Sequence, residues 1–396
     1  MNIRKIIMGA GLGLLFIQPH AASGQGRAAW LDSVERNNVT LAAMRRQLIA
    51  DKAAQAVDLR LPDPEVDMAY YQGSPDGVPA RKNIDVTQTL DWGTLTGRRR
   101  QAVSEAQMRL ERDYLVQRQA LLTTADEAYV EMAYANALCR ELRRRATQSE
   151  ELLQLVEKQN GKGGISLPEL NKVRLNAAVV AAELRRAESD QAKAQAELVR
   201  LNGGRPVCVT DTAWLAPPLP PLATLLQQIA TSPQVAAADA TVAERRADVA
   251  LQKALAIPAL SVGFTGEYVK GQNYSGLSLG VTLPIWGSAK QRKRQSREAL
   301  ASAQLAREDV TMSARLTAEQ RYAEALRLQE TVNDLRTQIG RTDNAALLSR
   351  SLALGQISLR DYLLEITFSN EARKQLLDTE RDAWLAQAAV WALLGQ

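Results

Sequence analysis

The stretch Ala259-Leu-Ser-Val-Gly-Phe-Thr-Gly-Glu-Tyr-Val269 puts Leu260, Val262, Phe264 and Tyr268 on alternate positions, with Ser261, Gly263, Thr265 and Glu267 between them. Period-two alternation is the mark of a strand with one apolar and one polar face. Three more stretches share it. In Pro64 to Tyr71, Val66, Met68 and Tyr70 oppose Glu65, Asp67 and Ala69. In Asn83 to Trp92, Ile84, Val86, Leu90 and Trp92 oppose Asp85, Thr87, Thr89 and Asp91. In Leu277 to Trp286, Leu277, Leu279, Val281 and Leu283 oppose Ser278, Gly280 and Thr282. Tyr70, Tyr71, Trp92, Tyr268, Tyr274 and Trp286 lie toward strand ends, where membrane barrels carry aromatic girdles. Taken strand by strand, a soluble sheet packing its apolar face on helices is the better explanation. The wider sequence shifts the balance.

Working outward, each strand pair is followed by a long run suited to a helix. From Thr94 to Asn160, and from Ser288 to Leu354, proline is absent and glycine nearly so, Gly340 standing alone in the second run. Each run of about 67 residues would span roughly 100 Å at about 1.5 Å per residue. Apolar positions Leu121, Ala125, Ala128, Met132 and Ala135 recur at steps of three and four, fitting a rod of laterally packed helices. Each run ends in a turn and a fresh helix start. Ser166-Leu-Pro-Glu169 reads as a capping box, and Ser358-Leu-Arg-Asp361 repeats the form with Asp. Gly161, Gly163, Gly164 and Gly355 permit the turns. Two helical hairpins are expected. Capping accounts for Ser166, Glu169, Ser358 and Asp361 by itself, with a further role at the tip left open.

The chain repeats itself at a shift of about 194 residues, the internal periodicity that reveals a duplicated unit. Pro64 matches Pro258, Thr89-Leu90 with Trp92-Gly93 matches Thr282-Leu283 with Trp286-Gly287, and Arg98-Arg-Arg-Gln matches Arg292-Lys-Arg-Gln. Gly164-Ile-Ser-Leu-Pro-Glu-Leu matches Gln356-Ile-Ser-Leu-Arg-Asp-Tyr. Each half is expected to carry a short helix (28–36 and 222–230), a medium helix (41–60 and 233–256), two strands, the long helix, a turn and a final helix. The units run over about 28–203 and 222–396. The Gly- and Pro-rich segment 204–221, opening after Asn202, joins them.

The remaining composition narrows the class. Arg4 and Lys5 precede an apolar run from Ile6 to Ile17, and small residues Ala21 to Gly24 follow, so residues 1–24 read as a signal peptide. The apolar run of about a dozen residues is shorter than the roughly 20 that cross a bilayer. No Cys follows the cleavage zone, so lipid anchoring there is not indicated. His20, the one histidine, lies inside that segment, which deprives the remainder of the commonest general base and metal ligand. No Gly-x-Ser-x-Gly elbow or metal-ligand cluster is present, so no enzyme chemistry and no cofactor are expected. The net charge of +5 carries no basic run interleaved with aromatics, which argues against a nucleic-acid partner. Cys139 and Cys208 fall at different heights of the expected rod and read as unpaired thiols, although a disulfide stays open. Arg98, Arg99, Arg100, Arg292, Lys293 and Arg294 open the long helices, where cations oppose the helix dipole. Lipid phosphates could compensate them, or solvent could.

Four strands cannot close a barrel in lipid, because open edges leave backbone groups unpaired. Single-chain barrels begin at about eight strands. A barrel here therefore requires several copies, and three would supply about twelve strands.

With these features in place, the chain resembles the TolC family of outer-membrane efflux proteins over essentially its whole length after residue 24. The resemblance rests on the duplicated helix–strand–strand–helix–helix order and on Leu354-Gly-Gln-Ile-Ser-Leu-Arg-Asp-Tyr-Leu. Pro-Asp-Pro-Glu-Val and Thr-Leu-Pro-Ile-Trp-Gly are most similar to its heavy-metal cation-efflux branch. The resemblance implies a mainly α fold with a small β part, assembled as a homotrimer. Its twelve-stranded barrel would sit in outer-membrane lipid, continued by an α-helical barrel in the periplasm. It implies a passive exit duct for metal cations or small toxic compounds, docked through its tip to a periplasmic adaptor and an inner-membrane pump. Tip contacts would fall on Gly163, Gly164, Ser166, Glu169, Gly355, Ser358 and Arg360, with Asp361 as a gate candidate. Leu364 stands where family gates often carry a second acid, with Glu365 beside it. The alternative is a periplasmic coiled-coil adaptor or structural envelope protein. Adaptors of that kind carry one hairpin, whereas two are expected here.

Overall fold

A computed structural model describes residues 26–57, 59–75, 77–161, 164–214, 218–283, 287–342 and 344–395. The signal segment, Gly163 and Trp286 lie outside them.

Two similar series of elements follow one another. The first is α1 (Arg27–Asn37), α2 (Val39–Val57), β1 (Glu65–Tyr71), β2 (Arg81–Leu90), a single turn α3 (Trp92–Leu95), α4 (Arg98–Asn160) and α5 (Leu167–Leu201). The second is α6 (Leu222–Ile229), α7 (Pro233–Leu255), β3 (Ala259–Val269), β4 (Gln272–Thr282), α8 (Ser288–Thr342), α9 (Ala345–Ala353) and α10 (Leu359–Leu393). With 63 residues α4 is about 95 Å long, well beyond a globular-domain diameter.

Both expected long runs are interrupted. The first breaks at Gly97, whose φ of 70° lies in the left-handed region and ends α3 before α4 begins. The second breaks between Thr342 and Ala345, so α8 and α9 are separate helices. Thr-Asp-Asn at 342–344 explains it. Short polar side chains compete for backbone groups and favour helix ends, and the Thr342 hydroxyl donates back to the Gln338 carbonyl at 2.9 Å. The fourth strand also moves, covering 272–282 rather than 277–286. Lys270-Gly271 makes a tight connection from β3, with Gly271 at φ 84°, so pairing runs to the turn itself.

The four strands form one antiparallel sheet in the order β1-β2-β3-β4. Below it, α4 packs against α2, α5, α7 and α10, while α7 and α10 also pack on α8. Thus α4 has neighbours on both flanks. Its small residues Ala125, Ala133, Ala135 and Ala137 are buried on more than one face and let helices approach closely.

The main core lies midway along this helical body. Trp30, Val34, Val130, Leu198 and Leu201 are buried together, each contributing roughly 1.5–3 kcal/mol. The Trp30 indole N–H donates to the Ala125 carbonyl at 2.8 Å. The segment expected as a plain connector belongs to this core: Val207, Val209 and Trp214 are buried in it. Arg27 holds buried Asp126 through two hydrogen bonds (2.6 and 2.9 Å) and stacks 5.3 Å over Trp214. A second cluster joins Leu225, Ile229 and Val235 to Ala314, Ala318 and Val390. Cys139 and Cys208 are both free.

Candidate functional site

Cross-strand register fixes which side chains share a face of the sheet. Val66 pairs with Val86, Val86 with Phe264, and Phe264 with Leu277, giving one apolar row. Neighbouring rows bring Met68, Ile84, Val262, Leu279, Leu90, Leu260 and Val281 to the same side. This face is open: Leu277 and Leu279 are each 83% exposed and Met68 75%. Among the described residues no helix covers it, unlike the expected soluble sheet with its apolar face packed on helices. Roughly ten large apolar side chains in one patch mark an interaction surface.

The opposite face is polar and better covered. Asp67, Asp85 and Thr265 lie in one row, and the Thr265 hydroxyl donates to Asp85. Arg81 pairs with Glu267 at 2.8 Å. Small residues interlock here, since a Cβ at Gly263 or Gly280 would run into the hydroxyl of Ser278 or Ser261. The register corrects the expected girdle. Tyr70 and Tyr268 share the apolar face, but Tyr71 pairs with Arg81 and Tyr274 with Glu267, which puts both on the polar side. There the Tyr274 hydroxyl donates to Gln272 Oε1 at 2.6 Å.

Both outer strands, β1 and β4, have an unpaired edge. The helical body is open on the matching flanks. α8 packs on α6, α7 and α10, with no comparable packing on α2 or α5 among the described residues, and it exposes Leu305, Met312 and Leu316 as a stripe. On the other flank Ile49 of α2 and Leu175 and Val179 of α5 are exposed.

At the far end of the body the two hairpins meet. Leu152, Val156, Leu170 and Val173 of the first are buried with Leu359 and Tyr362 of the second. This cluster brings both capping motifs to one end. In the first, Ser166 N–H donates to Glu169 Oε2 at 3.0 Å and its hydroxyl donates to the same oxygen at 2.7 Å. The hydroxyl and then the backbone N–H hold the Glu169 carboxyl below its ordinary range. In the second, the Ser358 hydroxyl accepts from Asp361 N–H at 3.1 Å and donates to Asp361 Oδ2 at 2.7 Å. The shorter Asp makes no bond to the Ser358 N–H, so the two caps differ in which group serves as the backbone's partner. Gly164, Arg360 and Asp361 are exposed, as are Leu364 and Glu365, and Gly355 turns the chain at φ 69°.

Two features escaped the sequence reading. The buried Arg27–Asp126 pair is separated by 99 residues and has no local signal. The unequal flanks of α4 and α8 follow from packing alone. Val207-Cys-Val209 did carry a hint of burial in its short alternation.

No protein-family model matches the chain, and no curated protein matches it in sequence. Solved structures do. CusC, described for its transmembrane channel formation, superposes with a TM-score of 0.78 at 14% identity, over 94% of this chain and 92% of that one. The open-state MtrE outer-membrane channel of Neisseria gonorrhoeae gives 0.75 at 17% identity, covering 94% and 89%. The CmeC outer-membrane channel of Campylobacter jejuni gives 0.70 at 16% identity, covering 100% and 92%.

Proposed function

We propose that this chain, which has the fold of TolC-family outer-membrane channels, is one third of a passive exit duct whose sheet sits in outer-membrane lipid. The observation that carries this reading is the exposed apolar sheet face together with one open edge at each side. In lipid the face meets its solvent, and only closure with other copies can pair the edge backbone groups. Consecutive strands alternate in direction, so β4 of one copy would meet β1 of the next antiparallel and preserve the pattern around the ring. The α8 stripe would then pack on α2 and α5 of the neighbour, as α4 packs on its own partners.

Three copies give about twelve strands, enough for an interior lined by the polar face. The helical body would continue the duct through the periplasm. Its tip residues Gly164, Ser166, Glu169, Gly355, Ser358 and Arg360 would meet a periplasmic adaptor bound to an inner-membrane pump. Gly163 would join them in sequence. Asp361, exposed at the start of α10, is the gate candidate. Metal cations or small toxic compounds would be the cargo. Two hairpins in one chain count against the single-hairpin adaptor alternative.

Refolding the chain after residue 24 into planar bilayers tests the duct. Stable single-channel steps and a heat-sensitive trimer on gels are expected. A detergent-independent monomer without conductance would overturn the reading.

A further inference from the structure

The arginine runs at the starts of the long helices have no role in the duct described so far. The C-terminal end of α7 lies between those starts: Leu255 lies against Gly93 beside α4, and shares a groove with Arg292 of α8. Six cations stand exposed around this point: Arg98, Arg100, Lys290, Arg292, Arg294 and Arg297. Among the described residues none of the six is in an ion pair. Arg98 bonds only the neutral Gln101, whereas neighbouring Arg99 does reach Asp91 at 3.4 Å. Neither α4 nor α8 has an acidic residue in its first turn, so Arg98, Arg100 and Lys290 there meet the positive end of the helix dipole uncompensated.

Their position supplies the missing anion. The apolar face ends at the Leu90–Leu260 row and at exposed Leu283, at the end of the sheet from which β2 leads into α3 and α4 and β4 toward α8, and Leu95 of α3 is exposed. A surface that is apolar on one side of a line and cationic on the other matches the boundary between acyl chains and headgroups. Consecutive helical residues are about 100° apart around the axis, so Arg292, Lys293 and Arg294 place a cation toward the lipid side in any rotation of α8. The charges are spread over exposed helix surface rather than gathered in a pocket, which suits a plane of phosphates better than one free ion.

We infer that these six residues form a collar that binds the phosphates of anionic phospholipid headgroups in the leaflet next to the helical body. This rests on the barrel reading above. The probe is vesicles of phosphatidylcholine alone or mixed with phosphatidylglycerol, into which the chain after residue 24 is refolded; retained lipids are then counted by native mass spectrometry. The unaltered protein should enter both kinds of vesicle and retain phosphatidylglycerol preferentially, with the preference weakening as salt rises. R292Q/R294Q/R297Q with R98Q/R100Q should lower that preference tenfold or more, at up to about fivefold per cation. Insertion into phosphatidylcholine should be unchanged. The all-lysine variant at the same five positions should keep the preference. Equal retention of phosphatidylglycerol by the glutamine variant would overturn the collar, and so would displacement of the lipid by inorganic phosphate at matched charge. If even the unaltered protein yields no protease-protected, heat-modifiable species in phosphatidylcholine, the barrel reading fails and the collar with it.

Discussion

The sheet and the helical body sort their side chains in opposite senses. In the body, Trp30, Leu198 and Leu225 are wholly buried and most charged residues face outward, with Asp126 and Arg145 as buried exceptions. In the sheet, Leu277 and Leu279 are the exposed residues, and Ser278 and Gly280 are the better covered ones. One chain thus carries two patterns that a single solvent cannot satisfy. The body is folded by water. In the proposed duct the sheet would meet a medium that accepts leucine and excludes open backbone, and further copies would complete it.

The sharpest way to break this contrast is to damage one region and watch the other. Trp30→Ala removes a fully buried indole and its bond to the Ala125 carbonyl. A loss of about 3–5 kcal/mol is expected. Helical circular dichroism should melt at a lower temperature, while the sheet keeps its apolar face. Leu279→Arg should do the reverse. Arg on a lipid face costs about 2–4 kcal/mol near the bilayer midplane, so the heat-modifiable oligomer should be lost while the helical signal stays. The same Arg at Thr265, on the polar face, should assemble normally.

Smaller effects sharpen the comparison within the body. Ser358→Ala removes an acceptor for the Asp361 N–H and should cost about 1 kcal/mol. Ser166→Ala should cost less, because Glu169 still reaches the backbone N–H at position 166. Hydrogen exchange at the first turns of α10 and α5 reads both. Last, Glu35 holds Arg118 through two hydrogen bonds, at 2.9 and 2.6 Å, and these lower its pKa from 4.5. Because the folded value is depressed, its contribution is present above pH 4.5 and is lost as pH falls through the folded value. Glu35→Gln should therefore flatten the acid limb of the stability curve below about pH 4.5.

Much of this was legible in the chain. Period-two runs located all four strands, and Ala259–Val269 matched at both ends. Strand β4 began five residues early because Tyr274-Ser-Gly resembles a loop until a two-residue connection is in place. The helix starts at Ser166 and Ser358 were readable because capping is local chemistry. The breaks at Gly97 and between Thr342 and Ala345 had local signals that length and lack of proline obscured. Burial of Trp214 against Arg27 and Trp30 depends on residues far apart in sequence, and no periodicity encodes it. The helix starts at Ser166 and Ser358 share one end of the body, but sequence spacing said nothing of the cluster around Tyr362 that joins the two hairpins.

The central claim is that the apolar face of the sheet meets lipid. A label scan along Leu277 to Thr282, in a background without Cys139 and Cys208 and with the protein inserted in vesicles, reads it residue by residue. Labels at 277, 279 and 281 should be quenched by lipid-borne quenchers, and labels at 278, 280 and 282 by water-soluble ones. Uniform access from water along the whole strand would contradict it.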